Sequence, residues 1–125
     1  MSSFDDAKIG AHIVDIVCVL SHHCNISCII TLQNMFCNNK AVKTVNLNAH
    51  YICLFRNNRS CRQVITLGSQ IMPGNSEYFM SSYLQATERK YGYLLIDLTP
   101  NTVKNLQLRA CLFPGDVTVC YLPKK

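Results

Sequence analysis

The residues whose types could do chemistry in this chain are few. Asp5 and Asp6 are adjacent carboxylates, and Gln33 and Asn34 end an apolar run over residues 26–32. Two neighbouring carboxylates at a strand end can hold Mg²⁺ and polarise a water. An amide at the tip of the next strand can donate to a γ-phosphate or position that water. Together the four read as the second half of a nucleoside-triphosphate-hydrolysing core. The element that cradles phosphates, a Gly-x-x-x-x-Gly-Lys-[Ser/Thr] loop, occurs nowhere in the 125 residues. Plainer readings stay open beside these: a solvated acidic N-terminus for Asp5 and Asp6 or a helix cap at Asp6, and turn formation for Gln33 and Asn34.

Three further groups carry chemical potential. Arg56 and Arg59 flank a turn that leads into a helix, where a guanidinium can reach a neighbouring subunit's phosphates or simply be solvated. His22, His23, Cys24 and Cys28 have a loose metal-like spacing, but no second Cys-x-x-Cys pair answers them. Nothing in the spacing fixes a Cys–His nucleophile with an orienting third group. Lys40, Lys43, Arg62, Arg89, Lys90, Lys104, Lys124 and Lys125 supply positive charge that can track a phosphate backbone or serve as solubilising surface.

The elements that must position these residues follow from periodicity. Residues 7–20 carry Ile9, Ile13, Ile16, Val17 and Leu20 at helical spacing, widened by Val14 and Val19 into a well-buried face. The β-branched run over 13–17 keeps a strand reading open there. A polar turn at 21–25 leads to residues 26–32, apolar on both faces as in a central parallel strand. Residues 35–49 read as a loop and a short helix, and 51–55 as a second buried strand. Residues 59–72, with Asn58 as N-cap, place Cys61, Val64, Ile65, Gly68, Ile71 and Met72 on one helical face, stopped by Pro73-Gly74. Asn75 caps a further helix to about Arg89. A third strand spans 93–98, and residues 106–113 and 117–122 form a hairpin around Pro114-Gly115-Asp116. Helices alternating with buried strands give an α/β layered sheet.

Composition bounds the rest. One domain is all that 125 residues allow, and a net charge of +5 favours an acidic partner such as nucleic acid. No apolar run reaches the length of a membrane span, and the acidic start does not read as a signal peptide. Several of the eight cysteines, Cys18 and Cys53 among them, sit in apolar runs and read as small buried hydrophobes in a reducing compartment.

The segments Ser21-His22-His23-Cys24-Asn25-Ile26-Ser27, Thr31-Leu32-Gln33-Asn34-Met35-Phe36, Leu47-Asn48-Ala49-His50-Tyr51, Phe55-Arg56-Asn57-Asn58-Arg59, Met72-Pro73-Gly74-Asn75-Ser76, Tyr91-Gly92-Tyr93-Leu94-Leu95-Ile96-Asp97-Leu98-Thr99-Pro100 and Phe113-Pro114-Gly115 carry a resemblance. From Ser21 to Asp116 the chain resembles the C-terminal half of the FtsK–HerA-type packaging ATPases of large DNA viruses and of Polinton (Maverick) transposons. The resemblance implies the C-terminal half of a RecA-like (P-loop NTPase) parallel sheet with a terminal β-hairpin. It also implies an ATP- and Mg²⁺-dependent motor that works as a ring on double-stranded DNA. It places the Walker B acidic pair at Asp5 and Asp6, with Asp5 helping to hold Mg²⁺ and Asp6 orienting the attacking water. It places the sensor amides at Gln33 and Asn34, and an arginine finger at Arg56 or Arg59.

The departures are equally specific. Only Met1-Ser2-Ser3-Phe4 precedes Asp5, Cys24 stands where the family has arginine, and Asn58 where it often has proline. The expectation is a single partial ATPase domain over 1–125, from a truncated or decaying copy or a gene model lacking its 5′ end, unable to hydrolyse ATP alone. The alternatives are a non-catalytic module that joins or regulates a full-length ATPase ring, and a non-functional mobile-element remnant. Expected partners are copies of itself, full-length ATPase subunits and double-stranded DNA, with no membrane. Expected places are the cell interior, the nucleus or the virion.

Overall fold

The computed structural model describes residues 3–33, 40–59 and 61–124. The chain divides into two compact units, Met1–Ala49 and His50–Lys125.

The first unit is helical. Helix α1 (Ser3–Asp15) continues through a π-helical stretch at Ile16–Leu20 into α2 (Ser21–Cys24). The β-branched run is thus helical, and the chain widens where it ends. Ser21 Oγ donates back to the Val17 carbonyl at 2.5 Å. Asn25 closes α2 in the left-handed region at φ 52°, a conformation asparagine tolerates well. Helix α3 (Lys40–Asn48) packs on α1 and on the π-helical stretch. The apolar flank expected to be well buried is half open, with Ile9 and Val19 each 49% exposed.

Residues 26–33 correct a second expectation. They form no strand, and Ile29 stands 95% exposed. An apolar run on both faces is stable as a strand only with neighbours on both edges and layers on both sides. Among the described residues this segment pairs with nothing in a sheet.

The second unit is a mixed helix–strand layer. Strand β1 (Tyr51–Phe55) is followed by α4 (Cys61–Ile71), α5 (Ser76–Ala86), β2 (Tyr93–Asp97), a 3₁₀ turn (Lys104–Leu106), β3 (Leu108–Ala110) and β4 (Val119–Cys120). The sheet order is β1-β2-β3-β4. Every pairing is antiparallel, with Cys53 opposite Leu95, Leu95 opposite Arg109, and Arg109 opposite Cys120. The parallel sheet expected from helix–strand alternation is therefore corrected. One crossover helix returns the chain to the end where a strand began and makes the next strand parallel. Here two helices lie between β1 and β2, so the chain re-enters the sheet from the end it left. The terminal hairpin forms as β3 and β4, shorter than the apolar runs suggest.

One face of this sheet makes the core. Leu94, Ile96 and Leu108 are fully enclosed, together with Phe79 from α5. Helix α5 turns Phe79, Ser82, Tyr83 and Ala86 inward, an i, i+3, i+4, i+7 stripe. Helix α4 buries Val64, Leu67 and Gly68, while Ile65, expected on the buried face, is 47% exposed. Gly68 is the contact point: a Cβ there would lie 2.5 Å from Phe79 Cδ1, so only glycine lets the ring seat against α4. Asn75 occupies the N-cap position of α5 without a side-chain bond, its carbonyl accepting from Phe79 N at 3.1 Å.

On the opposite face Tyr51 and Phe55 are 56% and 62% exposed. Strand β1, expected to be buried, encloses only Leu54. Cys53 is exposed and Cys18 half-buried, against the expectation of interior thiols.

Candidate functional site

Of the chemistry-bearing residues, Arg56 lines a cleft of the second unit, and Arg59 follows on the same loop. The loop leaving β1 is held by the Tyr83 hydroxyl. That hydroxyl accepts from Asn57 N–H at 3.1 Å and donates to the Phe55 carbonyl at 3.1 Å. Tyr83 is buried at the third turn of α5, so a rigid helix fixes the chain at the point where the strand ends. Asn57 Oδ1 then accepts from Arg59 N–H at 3.0 Å, a local asparagine turn. The helix start predicted at Asn58 is thus organised by Asn57, and α4 begins at Cys61. Cys61 Sγ lies 3.7 Å from the Asn57 carbonyl.

The result is an open cleft of about 360 Å³. Arg56, Asn57, Asn58 and Cys61 line one wall, and Tyr83, Leu84, Gln85, Thr87 and Glu88 the other. Arg56 and Arg59 are both exposed. Thr87 Oγ1 donates to the Tyr83 carbonyl at 2.8 Å and closes the end of α5. Chemically the cleft offers guanidinium and amide donors to an anion, with one carboxylate, Glu88, opposing.

A second polar cluster lies at the far end of β2. Asp97 is 4% exposed. It accepts from Thr99 N–H at 3.0 Å, from Thr99 Oγ1 at 2.6 Å and from Arg109 Nη2 at 2.5 Å. Thr99 and Thr102 hydroxyls meet at 2.5 Å. Burial alone would raise the Asp97 pKa. The hydrogen bonds from Thr99 and Thr102 and the charge of Arg109 outweigh it and hold the carboxyl below its ordinary value. Arg109 Nε is buried without a partner among the described residues. This cluster locks β2 to β3 and the following turn. The sequence carries one signal of this role: Asp97 is the sole charge in the apolar run 93–98, with threonine two residues on.

The remaining expected site residues fall on different elements. Asp5 and Asp6 fall in the first turn of α1, not at the end of a strand, and their side chains lie outside the described residues. Gln33 is exposed at the end of the unpaired segment, and Asn34 lies outside the described residues. Asp5, Asp6 and Gln33 belong to the first unit and Arg59 to the second. Among the described residues no three His, Cys, Asp or Glu side chains converge on a metal position, His22, His23, Cys24 and Cys28 included. No described helix is long and apolar enough to cross a membrane.

No protein-family model, no curated protein and no solved structure matches this chain.

Proposed function

We propose that this chain is a degenerate relative of the ATP-driven double-stranded DNA packaging motors that does not hydrolyse ATP alone and works as an interaction module. Its natural partners in this reading are full-length ATPase subunits of the same type. The motor lineage rests on the segments spread from Ser21 to Asp116, including the β1–α4 loop that carries Arg56 and Arg59.

The observation that carries the module reading is the outer edge of β1. Among the described residues it pairs with β2 on one side only, and Tyr51-Ile52-Cys53-Leu54-Phe55 holds no charge and no proline to discourage further pairing. Large α/β sheets often combine an antiparallel edge with a parallel body. In this reading β1 is the strand where body meets edge, and a RecA-like partner supplies the neighbouring strand.

The inactivity follows from the missing phosphate loop. An enzyme of this class needs on the order of 10 kcal/mol of transition-state stabilisation, much of it from that loop, its lysine and Mg²⁺. Purified chain should release phosphate from ATP no faster than a variant with Asp5→Ala and Asp6→Ala. Faster turnover by the unaltered chain defeats the inactive reading. Co-sedimentation with an intact packaging ATPase, abolished by a Cys53→Pro change on the β1 edge, supports the module reading. Monomeric behaviour beside that ATPase counts against it.

A further inference from the structure

The second unit carries all of the net charge, and the fold gathers it at one end. Residues 50–125 hold nine lysines and arginines against four acids, a net +5, while residues 1–49 hold three of each. Because Phe55 pairs with Tyr93, the β1–α4 loop and the turn before β2 share one end of the sheet. The β3–β4 turn joins them there, with Leu112 N–H donating to Tyr93 Oη at 2.8 Å. That end therefore carries Arg56, Arg59, Arg62, Arg89 and Lys90, opposed by Glu88 and Asp116. The other end has Lys104 and Lys124, and Arg109 is spent on Asp97.

The same end presents aromatic rings. Phe55 and Phe113 are 62% and 67% exposed and flank Tyr93, at ring-centre distances of 6.3 and 5.6 Å. Tyr93, 9% exposed, backs both. Tyr91 is 84% exposed, with Lys90 Nζ 5.2 Å from its ring centre. Its backbone sits at φ 60°, an unusual place for tyrosine. Gly92 fixes the turn from the other side, because a Cβ there would fall 2.4 Å from the Ala86 carbonyl oxygen.

Solubilising charge accounts for the cations but not for four rings among them, three of them more than half exposed. Exposed rings interleaved with arginine and lysine suit a strand whose bases are unstacked: the rings take the bases and the cations take the phosphates. A duplex hides its base faces and would leave the rings without work. We infer that this end of the sheet is a binding surface for single-stranded nucleic acid, read without sequence preference. The inference rests on unit 50–125 alone and stands whether or not the chain joins an ATPase ring.

The test is fluorescence anisotropy of the full chain with labelled oligo-dT and oligo-rU of about 20 nucleotides, and a duplex of the same length. Salt is varied from about 50 to about 200 mM. Both single strands should bind more tightly than the duplex, and the tighter of the two names the natural occupant. With three to five cations engaged, log K should fall against log salt with a slope of about −2 to −3.5. Tyr91→Phe should keep the affinity within about 2-fold, and Tyr91→Asn, which removes the ring but suits the backbone, should lower it about 5- to 100-fold. Arg59→Gln with Arg62→Gln should flatten the slope by about 1.4. Duplex binding as tight as single-strand binding, no loss in Tyr91→Asn, or no binding at the lowest salt would each overturn the inference.

Discussion

Replacing Asp97 by asparagine tests most directly how the second unit is held together. The carboxylate is 4% exposed and carries the charge facing Arg109 Nη2 at 2.5 Å. Removing one member of a buried ion pair costs about 3–5 kcal/mol when the orphaned charge is fully enclosed. Arg109 keeps 23% of its side chain in solvent, and asparagine still accepts from Thr99, so about 2–3 kcal/mol is expected. Arg109→Met orphans the more enclosed charge, but Thr99 and Thr102 continue to serve Asp97, so a similar cost of about 2–3 kcal/mol is expected. The double variant should recover about 1–2 kcal/mol of coupling. All six tyrosines lie in residues 50–125 and the chain has no tryptophan, so tyrosine fluorescence during urea unfolding reports this unit by itself. The pH dependence has a fixed sign. A carboxyl whose folded pKa is depressed adds stability above the unfolded value of about 3.9, and that stability is lost as pH falls through the lower folded value. Asp97→Asn should remove that acid-side slope. A loss under about 0.5 kcal/mol with no coupling to Arg109 would refute the reasoning, because it would mean that solvent already screens the pair.

Two further outcomes follow from the packing. Gly68→Ala should destabilise the unit by about 1–3 kcal/mol through overpacking against Phe79, and Phe79→Leu in the same chain should return part of that loss, both read by urea unfolding. Tyr83→Phe should cost about 1–2 kcal/mol and speed hydrogen exchange at the Asn57 amide, which loses its acceptor; an unchanged exchange rate would show that the loop does not depend on that hydroxyl.

Legibility in the sequence tracked how local each feature is. Helices α4 and α5 were readable because an apolar stripe with a Pro-Gly stop is a short-range signal, and β2 because 93–98 is apolar between turn residues. The candidate loop was readable as two arginines beside a turn, but not its anchor. Tyr83 lies 28 residues from Phe55, and no spacing rule connects them. Asn58 and Asn57 are equally good turn formers by type, and the Tyr83 hydroxyl that holds the Asn57 N–H from 26 residues away decides for Asn57. Segment 26–32 misled because hydrophobicity records the need for neighbours and not their presence.

The amino-acid sequence by itself determined where helices and strands of the second unit arise, the absence of a phosphate loop within these residues and the positive charge after His50. Tertiary structure alone decided that the strands run antiparallel, that Asp97 is used to join strands, and that five cations meet exposed rings at one end of a sheet. The reason is range. Propensity and periodicity act over a few residues, whereas strand direction, ion pairing and the meeting of loops at a sheet end depend on how many times the chain crosses the layer before it returns.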